Sequence, residues 1–125
     1  MINLPISDKL YKVNERCDDM LTKITNIDAF QNLLNNKNEF YFLKHSNTCP
    51  ISASAFEEFQ KFHYERDMDG YYLIVQDHRE LSNYIADTFD VKHESPQAFY
   101  FVDGKVKWHD SHNNITLPTL VSVED

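Results

Sequence analysis

Residues 39–45, EFYFLKH, restrict the fold more than any other segment, because this short run is apolar at nearly every position. A strand with one face in water alternates apolar and polar residues, whereas a strand covered on both faces is apolar throughout. The run therefore predicts a central strand in a sheet with helices on both sides. A second apolar run, YYLIVQ at residues 71–76, predicts another strand.

Four segments place apolar residues at the spacing of an amphipathic helix. The first follows Thr25 or Asn26, either of which can cap it, and stops at the polar run NNKN at residues 35–38. The second begins at Pro50 and runs to about Arg66. We therefore expect a helix before the central strand and another directly after it.

The last two helices have candidate caps of their own. Asp77 is followed three residues later by Glu80, a spacing that resembles a capping box. Asn113 or Asn114 can cap the final helix, and Pro118 is tolerable in its first turn. These residues predict where the third and fourth helices begin.

Two strands joined by a tight hairpin are predicted at residues 98–109, where AFYFV and KVKWH flank Asp103-Gly104. The elements then follow the order helix, strand, helix, strand, helix, strand, strand, helix. This order predicts an α/β protein with a small mixed four-stranded sheet flanked by helices, which is the thioredoxin-like arrangement. We assign it to residues 25–125. Residues 1–24 are polar and weakly patterned, and we expect an N-terminal arm or a short extra helix there.

The charge of the chain limits its partners. The formal net charge is −8 and no run of Lys or Arg forms a basic stripe, so we expect neither nucleic acid nor an anionic membrane surface as a partner. The longest apolar stretches have only a few residues, and the N-terminal MINLPISDKL carries charges where a signal peptide needs an apolar core. We therefore expect a cytoplasmic protein.

Cys49 is the candidate catalytic residue. The sequence Thr48-Cys49-Pro50-Ile51-Ser52 places it between a strand and a helix, where unpaired backbone N–H groups and the helix dipole stabilise a thiolate. Pro50 suits the first helical turn because it lacks an N–H. Ser52 stands where a dithiol redox protein carries its second cysteine, and a serine hydroxyl can hydrogen-bond a thiolate but cannot resolve a mixed disulfide. The motif alone therefore predicts one-thiol exchange.

The second cysteine and the nearest histidine have weaker assignments. Cys17 is in a different sequence setting and forms no motif with Cys49, so both are expected to be free thiols rather than a disulfide. An isolated cysteine is usually a small buried hydrophobe, and this is the interpretation for Cys17. His45 lies four residues before Cys49 and would favour its thiolate if it were protonated and close, which the sequence leaves open.

The segment HESPQ supplies two further candidates, Ser95 and Pro96. A Ser-Pro bond just before an apolar strand is a plausible cis site, although most X-Pro bonds are trans. If the bond is cis, the Ser95 backbone can pair with an extended substrate beside Cys49.

Three histidines late in the chain do not predict a metal site. The spacing of His93, His109 and His112 matches none of the strong zinc patterns, and Cys49 is far away in sequence. Structural or hydrogen-bonding roles are the preferred interpretation, and we expect no bound metal.

Five short motifs along the chain together resemble one known family. They are Lys44-His45-Ser46, Thr48-Cys49-Pro50-Ile51-Ser52, Arg79 with Leu81-Ser82, His93-Glu94-Ser95-Pro96-Gln97, and Ser111-His112 with Ile115-Thr116. On these motifs, the segment from about residue 25 to 122 is similar to the monothiol bacilliredoxins. These are thioredoxin-like proteins, also described as general stress proteins, of bacteria that use bacillithiol as their low-molecular-weight thiol. The long N-terminal segment with Cys17 departs from the family pattern.

The resemblance implies a site and a reaction. Cys49 would be the nucleophile and Pro96 the cis-proline that faces it. Our candidate supporting residues beside them are Thr48, Pro50, Ser52 and Ser95. The implied reaction is thiol–disulfide exchange that removes bacillithiol from S-bacillithiolated cytosolic proteins. Bacillithiol would be a co-substrate rather than a bound cofactor, and a second bacillithiol or another bacilliredoxin would complete the cycle.

Two other functions remain open at this point. The first is a redox-inert binding or stress module that uses a thioredoxin-like surface for protein contacts. The second is a two-thiol oxidoreductase in which Cys17 resolves the mixed disulfide formed on Cys49. One-thiol exchange at Cys49 is the function that the sequence favours, and these two are its alternatives.

Overall fold

The computed structural model describes residues 20–124, which form one sheet with helices on both faces. None of the helices in this part of the chain is long and apolar enough to cross a membrane. We number the strands and helices separately in chain order. The elements are β1 (Leu21–Lys23), α1 (Ile27–Asn36), β2 (Glu39–His45), α2 (Pro50–Arg66), β3 (Gly70–Ile74), α3 (Arg79–Phe89), β4 (Gln97–Val102), β5 (Lys105–Ser111), a 3-10 turn (His112–Asn114) and α4 (Leu117–Ser122).

The sheet has the strand order β1-β3-β2-β4-β5. β1 and β2 both run parallel to β3, whereas β4 is antiparallel to β2, and β5 is antiparallel to β4. β2 is therefore the central strand, as its apolar run predicts, and Tyr41, Phe42 and Leu43 are fully buried. The mixed α/β architecture predicted from the sequence is confirmed.

The sheet has five strands rather than the expected four. The additional strand, β1, lies in the segment predicted as an arm or extra helix, and its register pairs Leu21 with Gly70. The pairing continues at both ends, where Gly70 N–H donates to the Met20 carbonyl and Ile24 N–H donates to the Tyr72 carbonyl, each at 2.8 Å. A three-residue strand held by backbone bonds leaves no periodic pattern to detect. The rest of the predicted arm, including Cys17, lies outside the described residues.

The two faces of β2 belong to two apolar clusters. Phe40 and Phe42 pack in a cluster with residues of α1 and α3, including Phe30 and Ile85. Tyr41 and Leu43 point to the other face, in a cluster with residues of α2 and α4. Each large apolar side chain buried in this way contributes about 1.5–3 kcal/mol. The packing fixes β2 and its C-terminal end. The Cys49 loop, residues 46–49, leaves the sheet at that end.

Three predicted helix starts can be compared with the structure. Asn26 caps α1, since its Oδ1 accepts a hydrogen bond from Ala29 N–H at 2.8 Å. The predicted capping box of Asp77 and Glu80 is wrong, because a turn after β3 moves the N-cap to His78, which makes no side-chain cap bond. In that turn, the Asp77 and His78 N–H groups both donate to the Ile74 carbonyl.

The last helix is also capped later than predicted, by two or three residues. Asn113 and Asn114 lie in the 3-10 turn, and Thr116 is the N-cap of α4. The Thr116 hydroxyl accepts a hydrogen bond from Thr119 N–H at 3.3 Å. Pro118 lies in the first turn of this helix, as expected.

The hairpin between β4 and β5 turns at Asp103 and Gly104, as predicted. Both residues have positive φ angles, 52° and 79°. This is the backbone geometry of the tight two-residue turns that match the twist of paired strands.

A buried histidine locks α2 against the start of β3. His63 is fully buried, its Nδ1 lies 2.9 Å from the Phe59 carbonyl oxygen, and its Nε2 has no hydrogen-bond partner. A β-carbon on Gly70 would lie 2.5 Å from that Nε2, so only glycine fits there. Burial lowers the pKa of His63 to about 4. Arg66 acts in the same direction, while Asp69 and the bond to Phe59 oppose it.

We expect His63 to make stability depend on pH. Because burial lowers the pKa of His63 to about 4 in the folded chain, below its ordinary value of 6.5, the unfolded chain binds the proton first as pH falls. Its contribution is complete above pH 6.5 and is lost between 6.5 and about 4. Urea unfolding at several pH values should show a smaller slope of stability against pH for His63→Leu than for wild type. The exposed His109→Leu serves as control, and equal slopes for wild type and His63→Leu would contradict this assignment.

Candidate active site

Cys49 lies at the junction between β2 and α2. It is the N-cap residue of α2, it is partly buried, and its carbonyl accepts the hydrogen bond of Ala53 N–H at 3.0 Å. Pro50 occupies the first turn of the helix and is exposed. The strand–cysteine–helix arrangement predicted from the sequence is confirmed, and it places the thiol beside the positive end of a 17-residue helix.

The loop before Cys49 is held by a glutamine that the sequence did not single out. Gln76 Nε2 donates to Ser46 Oγ at 2.7 Å and to Thr48 Oγ1 at 3.2 Å. Its Oε1 accepts from Asn47 N–H at 3.1 Å. Gln76 follows β3, which is the parallel neighbour of β2, so its side chain reaches the loop that leaves the next strand. Thr48 thus belongs to the support of the Cys49 loop.

Ser52 closes the same loop from inside the helix. It is fully buried, and its Oγ accepts a hydrogen bond from Ser46 N–H at 2.8 Å and lies 2.8 Å from His45 Nδ1. Among the hydrogen bonds between residues 20 and 124, none involves the Cys49 sulfur. The structure therefore gives Ser52 a role in loop closure, and its expected contact with a Cys49 thiolate stays a prediction.

The contacts of His45 do not favour the protonated ring that would stabilise a Cys49 thiolate. Its ring stacks on Phe56 with a centroid distance of 4.6 Å, and its Nδ1 is engaged with Ser52. Burial lowers the pKa of His45, and the hydrogen bond with Ser52 offsets part of that change. A neutral, stacked imidazole stabilises the loop rather than the charge on Cys49.

Pro96 has the predicted cis peptide bond with Ser95. It is buried directly before β4, whose first residue, Gln97, is in register with Lys44 near the end of β2. The cis-proline thus lies near the C-terminal end of β2, from which the Cys49 loop departs. The Ser95 hydroxyl in this loop is buried without a hydrogen-bond partner.

The motif Ser111-His112 holds the cis-proline loop, which is the segment of residues 90–96 between α3 and β4. His112 has a φ of 57°, and its N–H donates to the Pro96 carbonyl at 3.0 Å. Its Nε2 lies 3.2 Å from Glu94 Oε1. On the other side, Gln97 Nε2 donates to the Lys92 carbonyl at 2.9 Å. The loop is therefore held from both β4 and the end of β5.

A fully buried lysine lies beneath this loop. Lys44 Nζ donates to the Ser82 carbonyl at 3.0 Å and to His93 Nδ1 at 3.2 Å, and it lies 5.7 Å from the centre of the Phe99 ring. Burial lowers the pKa of Lys44 to about 8. The sequence predicts a structural or hydrogen-bonding role for His93 and no particular role for Lys44. The signal that could have found Lys44 is its position inside an otherwise apolar central strand.

The three late histidines have separate surroundings. His93 bonds with Lys44 and Ser82, His112 pairs with Glu94, and His109 is exposed near the Phe99 ring. Across the part of the chain that the structure describes, no group of three His, Cys, Asp or Glu side chains could hold a metal ion.

Comparisons with known proteins agree with this arrangement. A family model described as monothiol bacilliredoxin BrxC matches residues 22–120. A solved structure described as a candidate oxidoreductase with a thioredoxin fold is similar at 50% identity and a TM-score of 0.85, covering 87% of this chain and 97% of its own. These two matches support a thiol-redox role.

More distant thioredoxins share the fold. Thioredoxin from Trypanosoma brucei brucei matches at 14% identity and a TM-score of 0.67, covering 83% of this chain and 87% of its own. Oxidised mitochondrial thioredoxin 3 from Saccharomyces cerevisiae matches at 19% identity and a TM-score of 0.63, covering 84% and 92%. The predicted thioredoxin-like fold is confirmed.

Replacing Ser52 with alanine should destabilise the protein by about 1–3 kcal/mol, because the Ser46 N–H would stay buried without its acceptor. Ser54→Ala is the matched control, since Ser54 is an exposed serine in the same helix. Urea unfolding of both variants measures the difference. Equal, small changes in stability would show that Ser52 does not close the loop.

Proposed function

Because the chain belongs to the monothiol bacilliredoxin family, we propose that it removes bacillithiol from S-bacillithiolated proteins of the cytoplasm by thiol–disulfide exchange at Cys49. The observation that carries the proposal is a single thiol at the start of α2 with a buried serine at position 52. Cys49 is the free cysteine within residues 20–124. A site of this kind accepts a thiol group from a substrate and needs an external thiol to release it.

The first step transfers bacillithiol to the protein. The Cys49 thiolate attacks the bacillithiol sulfur of the client's mixed disulfide, and a new disulfide forms between Cys49 and bacillithiol. The bond between bacillithiol and the client breaks, and the client cysteine leaves as a thiolate that takes a proton from solvent. The client is thereby reduced, and the number of disulfides is unchanged.

The second step restores Cys49. The thiolate of a second bacillithiol attacks the bacillithiol sulfur of the mixed disulfide, which releases the Cys49 thiolate and bacillithiol disulfide. The thiol of another bacilliredoxin would serve in the same way. Bacillithiol is thus a co-substrate, and the cycle needs no bound cofactor.

The cis-proline loop is the proposed docking place for the client. An extended client segment that pairs with the Ser95 backbone would add a short strand beside β4. Pro96 directly precedes β4, at the end of the sheet from which the Cys49 loop departs, and Cys49 is only partly buried. The hydrogen bonds of His112 and Gln97 tie this loop to the end of β5 and to β4.

Removal of the Cys49 thiol should abolish the exchange. A client protein carrying one bacillithiol is incubated with excess bacillithiol and the full-length chain, and the loss of bacillithiol is followed by intact-mass spectrometry. Wild type and Cys17→Ser should restore the client at similar rates, whereas Cys49→Ser should match the reaction without protein.

The opposite pattern, with Cys17 essential and Cys49 dispensable, would overturn the assignment. Loss of activity in both variants would indicate a two-thiol cycle. No acceleration by wild type would indicate a redox-inert module.

A further inference from the structure

Lys44, Ser82 and His93 form a polar cluster that holds a buried positive charge without an anionic partner among the described residues. Lys44 is fully buried, and the ion pairs among residues 20–124 do not include it. Its ammonium group has only neutral partners, the Ser82 carbonyl and His93 Nδ1. Lysine is almost never fully buried unless it is paired, because the lost hydration of the charge is costly. Packing alone therefore does not explain why a lysine occupies this place.

The cluster fixes the tautomer of His93. An ammonium group only donates hydrogen bonds, so His93 Nδ1 must be the acceptor of the bond from Lys44 Nζ at 3.2 Å. Ser82 Oγ, also 3.2 Å from Nδ1, then donates to the same atom. The ring proton consequently resides on Nε2. Because His93 is only partly buried, Nε2–H is the donor that the ring has left for a ligand.

His93 lies in the loop that carries the cis-proline. It precedes the cis-proline by three residues. Its partner Lys44 is in register with Gln97, near the point where β2 ends and the Cys49 loop begins. Burial and then the positive charges of Lys44 and Arg79 lower the pKa of His93, while Glu94 opposes them. Glu94 is itself paired with His112. Two cations and one carboxylate thus act on the His93 ring, in a chain with a net charge of −8.

We propose that His93 is a specificity-determining residue, which binds a carboxylate of the low-molecular-weight thiol that reacts at Cys49. Nε2–H donates to the carboxylate, and Lys44 is a positioning residue that holds the ring and supplies the buried positive charge behind it. The carboxylate completes a row of cation, neutral imidazole and anion, which balances the charge of Lys44 when the ligand is present. This inference rests on the proposed function, because it concerns the thiol that Cys49 exchanges.

Two small disulfides separate the carboxylate contact from the exchange itself. Dithiodipropionate carries one carboxylate on each half, and its diamide has the same shape without charge. Each reacts with the Cys49 thiolate to give a mixed disulfide and releases the other half as a thiolate. Intact-mass spectrometry of the reduced full-length protein gives the two rate constants, and their ratio reports recognition of the carboxylate.

In wild type, the ratio of the carboxylate rate to the diamide rate should fall as salt is raised. His93→Ala should lower the ratio by about tenfold, the loss expected for one hydrogen bond to a charged group. His93→Gln, which keeps an N–H donor, should retain part of the preference, and Lys44→Met should lose most of it. The controls His109→Ala and Lys107→Met remove an exposed histidine and an exposed lysine on β5, and they should leave the ratio unchanged.

A ratio that is the same in wild type and His93→Ala would overturn the inference while leaving exchange at Cys49 intact. An equal fall in Lys107→Met would do the same, because it would indicate a general effect of net charge. If Cys49 of the wild type reacts with neither disulfide, the proposed function fails as well. Should Lys44→Met not fold, as judged by thermal unfolding, the comparison of His93→Ala with His93→Gln decides alone.

Discussion

The burial of β2 on both faces is the constraint on which the rest of the structure depends. Its side chains alternate between two apolar clusters, one shared with α1 and α3 and the other with α2 and α4. β2 is also hydrogen-bonded to a parallel strand on one side and an antiparallel strand on the other. The C-terminal end of β2 and the start of β4 are therefore fixed side by side at one end of the sheet. These two strand ends position the Cys49 loop and the cis-proline loop.

Polar side chains then fix the two loops at this end of the sheet. Gln76 and Ser52 hold the loop before Cys49, and His112 and Gln97 hold the loop around Pro96. The serine at position 52 is thus more than the absence of a second thiol, because its hydroxyl is part of the loop closure. This arrangement fits a site that works with one cysteine of its own and takes its second thiol from a ligand. On our proposal, the cation beneath the cis-proline loop would contribute to the choice of that ligand.

The sequence predicts the features that leave a local trace and misses those that depend on distant contacts. β2 was predictable because double burial requires an apolar run, and Cys49 because a proline and a helical pattern follow it directly. β1 was not predictable, since three residues are held there by backbone pairing with β3. The contacts of Gln76 with Ser46 and of Lys44 with His93 join residues 30 and 49 positions apart, so no spacing in the chain reveals them. The helix caps were misplaced where a short turn precedes the helix.

Intact-mass spectrometry of the fully reduced, full-length protein during brief exposure to bacillithiol disulfide shows whether the site is complete with one thiol. We expect a single bacillithiol adduct, assigned to Cys49 by peptide mapping, that persists until free bacillithiol is added. An adduct that gives way on its own to a disulfide between Cys17 and Cys49 would contradict it. So would the absence of any adduct on Cys49.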